Sequence, residues 1–538
     1  MPTGARLKGD TLKLEVYTII TKDMKDQNFN FKILDCTLRD GGYYTNWDFS
    51  TNVIDSYIEA MNQLPIDYLE VGYRNNPSEE YLGEFGYTPV STLRNLRKKC
   101  TKKIVVMLNE KNTRIENLEI LLKPIQGLAD MIRIAIDPKN FDRALNLAKS
   151  VKTMGFEVGF NTMYMSKWNE YPGFLEKLSQ LNGMVDLFCM VDSFGGVTPD
   201  DVKSTLKIVK EKTTVPVGFH GHNNLQLGLI NTLIAIENGA DFVDATILGM
   251  GRGAGNLNME LLLTYLNKNG MDVDFNVLGD VISAFHPLLE KYNWGTNLPY
   301  MLSGANSLPQ KEVMEWVSNR AYSFNSIVRA IDNKKNNIKD NARYPYFKSQ
   351  VTEKVLIIGG GNSCIEHQDA VKQYALLNPE MPIIFVTARH AALYNSLPNP
   401  KYYCLVGNEA KRLSLNISEP DFNGICLLPP YPRMMGTEVP AYAERLTFEL
   451  NAITFTQSYC DSCTTLALQA ALAMGVKEIN VVGYDGYKGE VLSEKEMELS
   501  NENKVIFEEI NKISDVKVKS LTPTLYKSLK VESIYQFL

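Results

Sequence analysis

The sequence predicts an α/β protein in two parts, an N-terminal (β/α)8 barrel followed by a doubly wound Rossmann-like α/β domain. Three observations carry this. Short apolar runs alternate with amphipathic stretches from Ile33 to Leu248. Polar, chemistry-bearing residues follow several of those runs directly. A second series of apolar runs starts at Val355, behind a polar stretch.

The first series is Ile33–Cys36, Tyr68–Gly72, Ile104–Leu108, Met131–Ile136, Phe156–Phe160, Val185–Val191, Val215–Phe219 and Phe242–Leu248. Short, largely apolar runs are what strands buried on both faces of a parallel sheet require. The stretches between them read as helices, such as Thr51–Leu64 and Asn224–Asn238, the latter stopped by Gly239. Repeats this even favour closure into a barrel over an open sheet, with the chemistry at the C-terminal strand ends. Domain bounds follow: 1–30 an N-terminal extension, 31–317 the barrel with a helical tail, 318–352 a linker, and 353–538 the second domain. The linker is read from the polar run Asp332 to Asp340.

Composition limits the partners. At 538 residues the chain exceeds one ordinary core. With 44% hydrophobic and 22% charged residues and a net charge of −6, it has neither a nucleic-acid footprint nor a membrane span. The first thirty residues lack the layout of a secretory signal. Eight scattered cysteines fit a reducing cytoplasm. Cys460-Asp461-Ser462-Cys463 is formally a C-x-x-C, but no second pair completes a zinc site, and it reads as helix-start packing with an Asp/Ser cap.

Two motifs carry the chemistry. Only five histidines occur, and His220 and His222 sit one residue apart after an apolar run. Side chains at i and i+2 of an extended segment point the same way, so both can grip one ion. Asp40, in Asp35-Cys36-Thr37-Leu38-Arg39-Asp40-Gly41-Gly42, follows the first run and could add a carboxylate. Such a set leaves coordination positions open, as a catalytic metal site needs. Mn²⁺ or Mg²⁺ suits it, with Co²⁺ or Zn²⁺ as alternatives. Asn161, Asp192-Ser193 and Asn256 also stand at strand ends. A Schiff-base route would need a lysine at such an end, and none of the eight offers one.

Jointly, these motifs resemble the metal-dependent aldolase and lyase superfamily of 4-hydroxy-2-oxovalerate aldolase, isopropylmalate synthase and hydroxymethylglutaryl-CoA lyase, over roughly residues 30 to 310. The loop Gly249-Met250-Gly251-Arg252-Gly253-Ala254-Gly255-Asn256 is most similar to that of the 4-hydroxy-2-oxovalerate aldolases. The resemblance implies a carbon–carbon lyase acting beside the keto group of a 2-oxo acid, with an aldehyde or acyl partner. It implies Asp40, His220 and His222 as metal ligands, with Asn256 ligating or adjacent; Arg39, charged and next to a metal ligand, is expected to stabilise enolate charge, and Asn161 and Ser193, at strand ends, to contact substrate. A homo-oligomer is compatible with it. The loop lacks the catalytic cysteine of the hydroxymethylglutaryl-CoA lyases. In the aldolases a basic histidine stands three positions after the aspartate, and here that place holds Tyr43. Tyr43 is expected to orient substrate, and Tyr300 is a second acid/base candidate.

The second series begins with Val355–Ile358 and Gly359-Gly360-Gly361-Asn362-Ser363, then Ile383–Val386, Tyr402–Val406, Ile425–Leu428 and Ile479–Val482. The glycine turn does not match the dinucleotide fingerprint, while phosphate on the following helix remains an expectation. Asp461 to Tyr487 has a limited likeness to bacterial sialyltransferase-like Rossmann-like domains, implying a nucleotide or nucleotide-sugar ligand. The alternatives are an acyl-CoA-dependent Claisen synthase, a bifunctional enzyme with a transferase module, and a barrel that only positions the second domain.

Overall fold

The computed structural model describes residues 29–79, 81–318, 324–336, 342–431, 433, 438–487, 494–513 and 515–538. The N-terminal extension therefore lies outside the described residues up to position 28. The chain divides into two compact units, one ending at Met314 and one starting at Glu315.

The first unit is a closed barrel of eight parallel strands in sequence order. They are β1 (Lys32–Asp35), β2 (Tyr68–Tyr73), β3 (Lys103–Asn109), β4 (Met131–Ile136), β5 (Glu157–Thr162), β6 (Leu187–Val191), β7 (Val217–His220) and β8 (Phe242–Ala245). Closure is made by β1 on β8, with Lys32 opposite Phe242 and Asp35 opposite Ala245. All eight expected strands are present, with shifted ends. The eighth stops at Ala245 because Ile247–Gly249 turns tightly and Leu248 adopts φ 53°. The helix expected from Asn224 begins at Gly228. The preceding asparagines are engaged elsewhere, Asn223 Oδ1 accepting from Gly228 N and Asn224 Nδ2 donating to Tyr300 O. Asn side chains compete for backbone groups in this way and delay helices.

Side chains alternate across each strand, so residues two apart share a face. Leu34, Tyr68, Val105, Met131, Leu187 and Phe242 pack as one cluster inside the barrel. Two residues further along β2, β4 and β8 come Glu70, Arg133 and Asp244, each at most 1% exposed. The interior thus changes from apolar to charged toward the catalytic end of a barrel. Gly159 on β5 makes room for this layer, since a Cβ there would stand 2.9 Å from Arg133 Cγ. A second apolar cluster fills the space between strands and helices.

The second unit holds an eight-stranded parallel sheet: β9 (Lys354–Ile358), β10 (Ile383–Phe385), β11 (Lys401–Cys404), β12 (Ile425–Leu428), β13 (Thr447–Glu449), β14 (Glu478–Val482), β15 (Lys517–Ser520) and β16 (Lys530–Val531). The order is β13-β12-β11-β10-β9-β14-β15-β16, reversing between β9 and β14. Val355 and Ile357 belong to one apolar cluster, Leu356 and Ile358 to another, so both faces are covered. β13, β15 and β16 carry Thr, Glu, Lys and Ser and escape a search for apolar runs. The stretch read as linker contains a helix, Phe324–Lys335, whose Ile327 and Ile331 are buried at i and i+4. Its polar face had hidden that spacing. Ser462 caps the helix Cys463–Ala473 by accepting from Thr464 N, and all eight cysteines are free. Among the described residues no helix is long and apolar enough to cross a membrane.

Candidate metal centre and active site

The Arg39–Asp40 motif is helical rather than a loop, lying in Thr37–Thr45 immediately after β1. Two adjacent glycines ordinarily disfavour a helix. Here the packing requires them, because a Cβ on Gly41 would stand 2.5 Å from Met250 Sδ and one on Gly42 2.1 Å from Trp47 Cδ1. The helix brings Asp40 to its first turn, where the macrodipole favours a carboxylate.

Asp40, His220, His222 and Asn256 converge at the strand ends, all buried. His220 Nε2 lies 3.6 Å from Asp40 Oδ2, and the two imidazole centroids are 4.9 Å apart. Asn256 Nδ2 donates to Asp40 Oδ2 at 2.7 Å, and Asn256 bridges His222 through backbone. The partners of the rings fix their tautomers. His222 Nδ1 is 2.6 Å from the Asp192 carbonyl, which can only accept, so Nδ1 carries the proton. His220 Nδ1 is 2.9 Å from Asp244 Oδ2. Burial pushes the Asp244 carboxyl up, but Arg133 and then His220 outweigh it and hold it down at about 2, so it too accepts. Each Nε2 is left with a lone pair. His220 Nε2 and Asp40 Oδ2 are therefore acceptors facing each other with no hydrogen between them. Asn256 Oδ1 is a further buried acceptor without a partner. A cation meets all of these needs.

Electrostatics agree. Burial, reinforced by His220, drops His222 to about 3, keeping it neutral as a ligand must be. Burial raises Asp40, but Arg39, His220 and His222 overcome this and lower it. Cys36, His220 and Asp244 also have ligand atoms within 4.8 Å of one another. That trio is the poorer site. Burial and Asp40 raise the Cys36 thiol well above its ordinary value, and Asp244 already occupies Nδ1 of His220.

Arg39 Nε donates to Glu70 Oε2 at 2.7 Å and Nη1 pairs with Asp40, while Nη2 is buried without a partner. Arg133 links Glu70 (3.5 Å) to Asp244 (2.7 Å), closing a ring Arg39–Glu70–Arg133–Asp244–His220–Asp40. Glu70, Arg133 and Asp244 were not among the residues singled out from the sequence. A charged residue within an otherwise apolar, doubly buried strand was the available signal. Asn161 Oδ1, at the end of β5, is buried and unpartnered. Ser193 Oγ accepts from Tyr164 N at 2.8 Å.

Tyr43 is 37% exposed, its hydroxyl 3.1 Å from that of Tyr73. Burial and Tyr43 raise Tyr73 well above the ordinary phenol range, so Tyr73 stays protonated. Tyr300 is raised strongly, first by burial and then by Tyr44, so it stays protonated and is a poor base. In the second unit, Asp485 accepts from Ser363 N at 2.9 Å and pairs with Ser363 Oγ. The helix start expected to hold phosphate is thus already occupied by a carboxylate of the chain, on a helix of only four residues, Ser363–Glu366.

Three comparisons bear on this barrel. The HMGL-like family profile matches residues 132–282. The 4-hydroxy-2-oxovalerate aldolase of Chloroflexus aggregans is 32% identical over 255 residues, 46% of this chain and 72% of that protein. The oxaloacetate decarboxylase of Mycobacterium tuberculosis is 28% identical over 248 residues, 44% of this chain and 70% of that protein. Among solved structures, the N-terminal domain of a Bacteroides vulgatus protein described as a candidate aldolase is 72% identical, with TM-score 0.54, covering 56% of this chain and 100% of that domain. With its closed barrel and its convergent polar strand ends, the chain belongs to the HMGL-like family that includes the 4-hydroxy-2-oxovalerate aldolases.

Proposed function

We propose that the barrel is a divalent-metal-dependent aldolase that makes or breaks the C3–C4 bond of a 4-hydroxy-2-oxo acid, releasing pyruvate and an aldehyde. The observation that carries this is a pair of acceptors turned on each other, His220 Nε2 facing Asp40 Oδ2 at 3.6 Å, with the unpartnered Asn256 Oδ1 beside them. Asp40, His220 and His222 would hold the ion, with Asn256 adjacent. When bound, a divalent metal supplies Lewis-acid polarisation of the keto oxygen.

The chain's own groups do the rest. Arg39, fixed by Glu70 and Asp40, turns its unpartnered Nη2 toward the charge that develops on the enolate oxygen as the C3–C4 electrons move onto C3. Asn161 and Ser193 line the substrate's side. As the bond breaks, the C4 hydroxyl gives its proton to water in the open site, and C3 of the enolate takes one up from water, so protons balance over the turnover. Tyr43 stands where the related aldolases carry a histidine, and we assign it an orienting role through its contact with Tyr73. Tyr300, held protonated by burial, cannot serve as the base and is left a hydrogen-bonding role. The fold of the second unit is read as doubly wound, Rossmann-like, from its reversed strand order.

The test is metal analysis of the purified full chain combined with Mn²⁺-dependent deuterium exchange at the methyl group of pyruvate. Near-stoichiometric metal and exchange above the metal-free control are expected. An inert, metal-free protein would overturn the reading.

A further inference from the structure

The Gly249–Asn256 loop carries an arginine that the reaction described above does not use. Arg252 is half-buried, and its guanidinium carbon lies 5.3 Å from the centroid of the Tyr43 ring. The other two arginines of the site are neutralised, Arg39 by Asp40 and Glu70, Arg133 by Glu70 and Asp244. Among the described residues no carboxylate is within ion-pair distance of Arg252. The backbone around it is held tightly: a Cβ at Gly251 would meet Asn256 Nδ2 at 2.6 Å, and Gly253 O accepts from Tyr44 Oη at 3.1 Å. An unpaired guanidinium on the fixed loop that also carries Asn256, over the ring of Tyr43, is a carboxylate receptor in waiting.

We infer that Arg252 binds a second carboxylate on the substrate, at the end of the chain remote from the 2-oxo acid. The keto oxygen is already assigned to Arg39 and the ligand cluster, and both other site arginines are neutralised, so a remote acid group falls to Arg252. The Tyr43 hydroxyl beside it is hydrogen-bonded to that of Tyr73 and adds no competing negative charge. The substrate class is then a 4-hydroxy-2-oxo dicarboxylic acid, whose aldehyde fragment carries the acid group. This rests on the aldolase reading of the same site.

The matched probes are 4-hydroxy-2-oxoglutarate and 4-hydroxy-2-oxopentanoate, which differ at the remote carbon by carboxylate against methyl and break the same bond. Pyruvate release by the full chain with Mn²⁺ should favour the dicarboxylate. Arg252→Met should lower kcat/KM for the dicarboxylate by roughly 10- to 100-fold, mainly through KM, and lower that for the methyl compound far less. Arg252→Lys, which keeps the charge, should recover part of the loss, and thermal melting of both variants guards against a folding defect. Equal losses on both substrates, or a wild-type preference for the methyl compound, would overturn the inference. Absence of cleavage of either, together with absent pyruvate exchange, would instead overturn the aldolase reading and the inference with it.

Discussion

The two units each end their parallel strands in polar residues, yet the two ends behave differently. In the second unit the carboxylates are satisfied by the chain itself. Asp485 caps Ser363, Glu409 accepts from Ala388 N and pairs with Arg412, and Glu449 is gripped by Arg433, Arg343 and Tyr344 N. In the barrel a ring of charges turns two acceptors on each other, His220 Nε2 and Asp40 Oδ2, and leaves Asn256 Oδ1 without a partner. Polarity at a strand end is therefore a weak marker of function. Acceptors held against acceptors, by partners that fix their orientation, are the stronger one.

That contrast can be broken most sharply at the ligands. Asp40→Ala or His220→Ala should reduce metal affinity beyond the roughly 100-fold typical of losing an outer partner, and abolish pyruvate exchange. Full metal retention in the Asp40→Ala, His220→Ala double variant, read by elemental analysis, would rule the site out. A step smaller, Arg39→Lys should keep the metal while lowering kcat by roughly 10²- to 10³-fold, because lysine lacks the fork that spans Glu70 and the enolate oxygen. Unchanged turnover would remove Arg39 from the reaction.

Stability against pH sharpens the comparison further. Asp35, at the end of β1, is raised from 3.8 to about 6 by burial, against the hydrogen bonds of Tyr57 and Thr37. The folded state thus holds the proton more tightly than the unfolded one. Its contribution is full below about pH 4 and is lost as pH rises through about 6, at most about 3 kcal/mol by linkage. Asp35→Asn should flatten the stability profile between pH 4 and 6 in denaturant titrations, and an unchanged slope would refute the assignment. The smallest effect belongs to the second unit. Asp485→Asn should cost about 1 kcal/mol of stability as a weakened cap and leave pyruvate exchange untouched. A large loss of lyase activity would mean that this strand end is not merely structural.

Much of the barrel was legible from sequence because buried parallel strands must be apolar on both faces, so each announced itself as a run. His220 and His222 were legible by their two-residue spacing, and Arg39 and Asp40 by following a run. Other features were hidden by the same logic. Glu70, Arg133 and Asp244 sit inside apolar runs, and their partners lie in other strands, at separations that no local pattern encodes. The helix around Arg39 and Asp40 was masked by Gly41 and Gly42, whose need for small size comes from Met250 and Trp47 pressing against them.

By itself the sequence determined the eight barrel strands and the polar residues that follow them, because periodicity and residue chemistry are local properties. Only the tertiary structure decided which acceptors lack partners, which ring nitrogen faces the site, and that Asp485 fills the helix start of the second unit. Those depend on distances between strands brought together by closure of the sheet, and a charge buried there is neutralised or left wanting by neighbours far away in the chain.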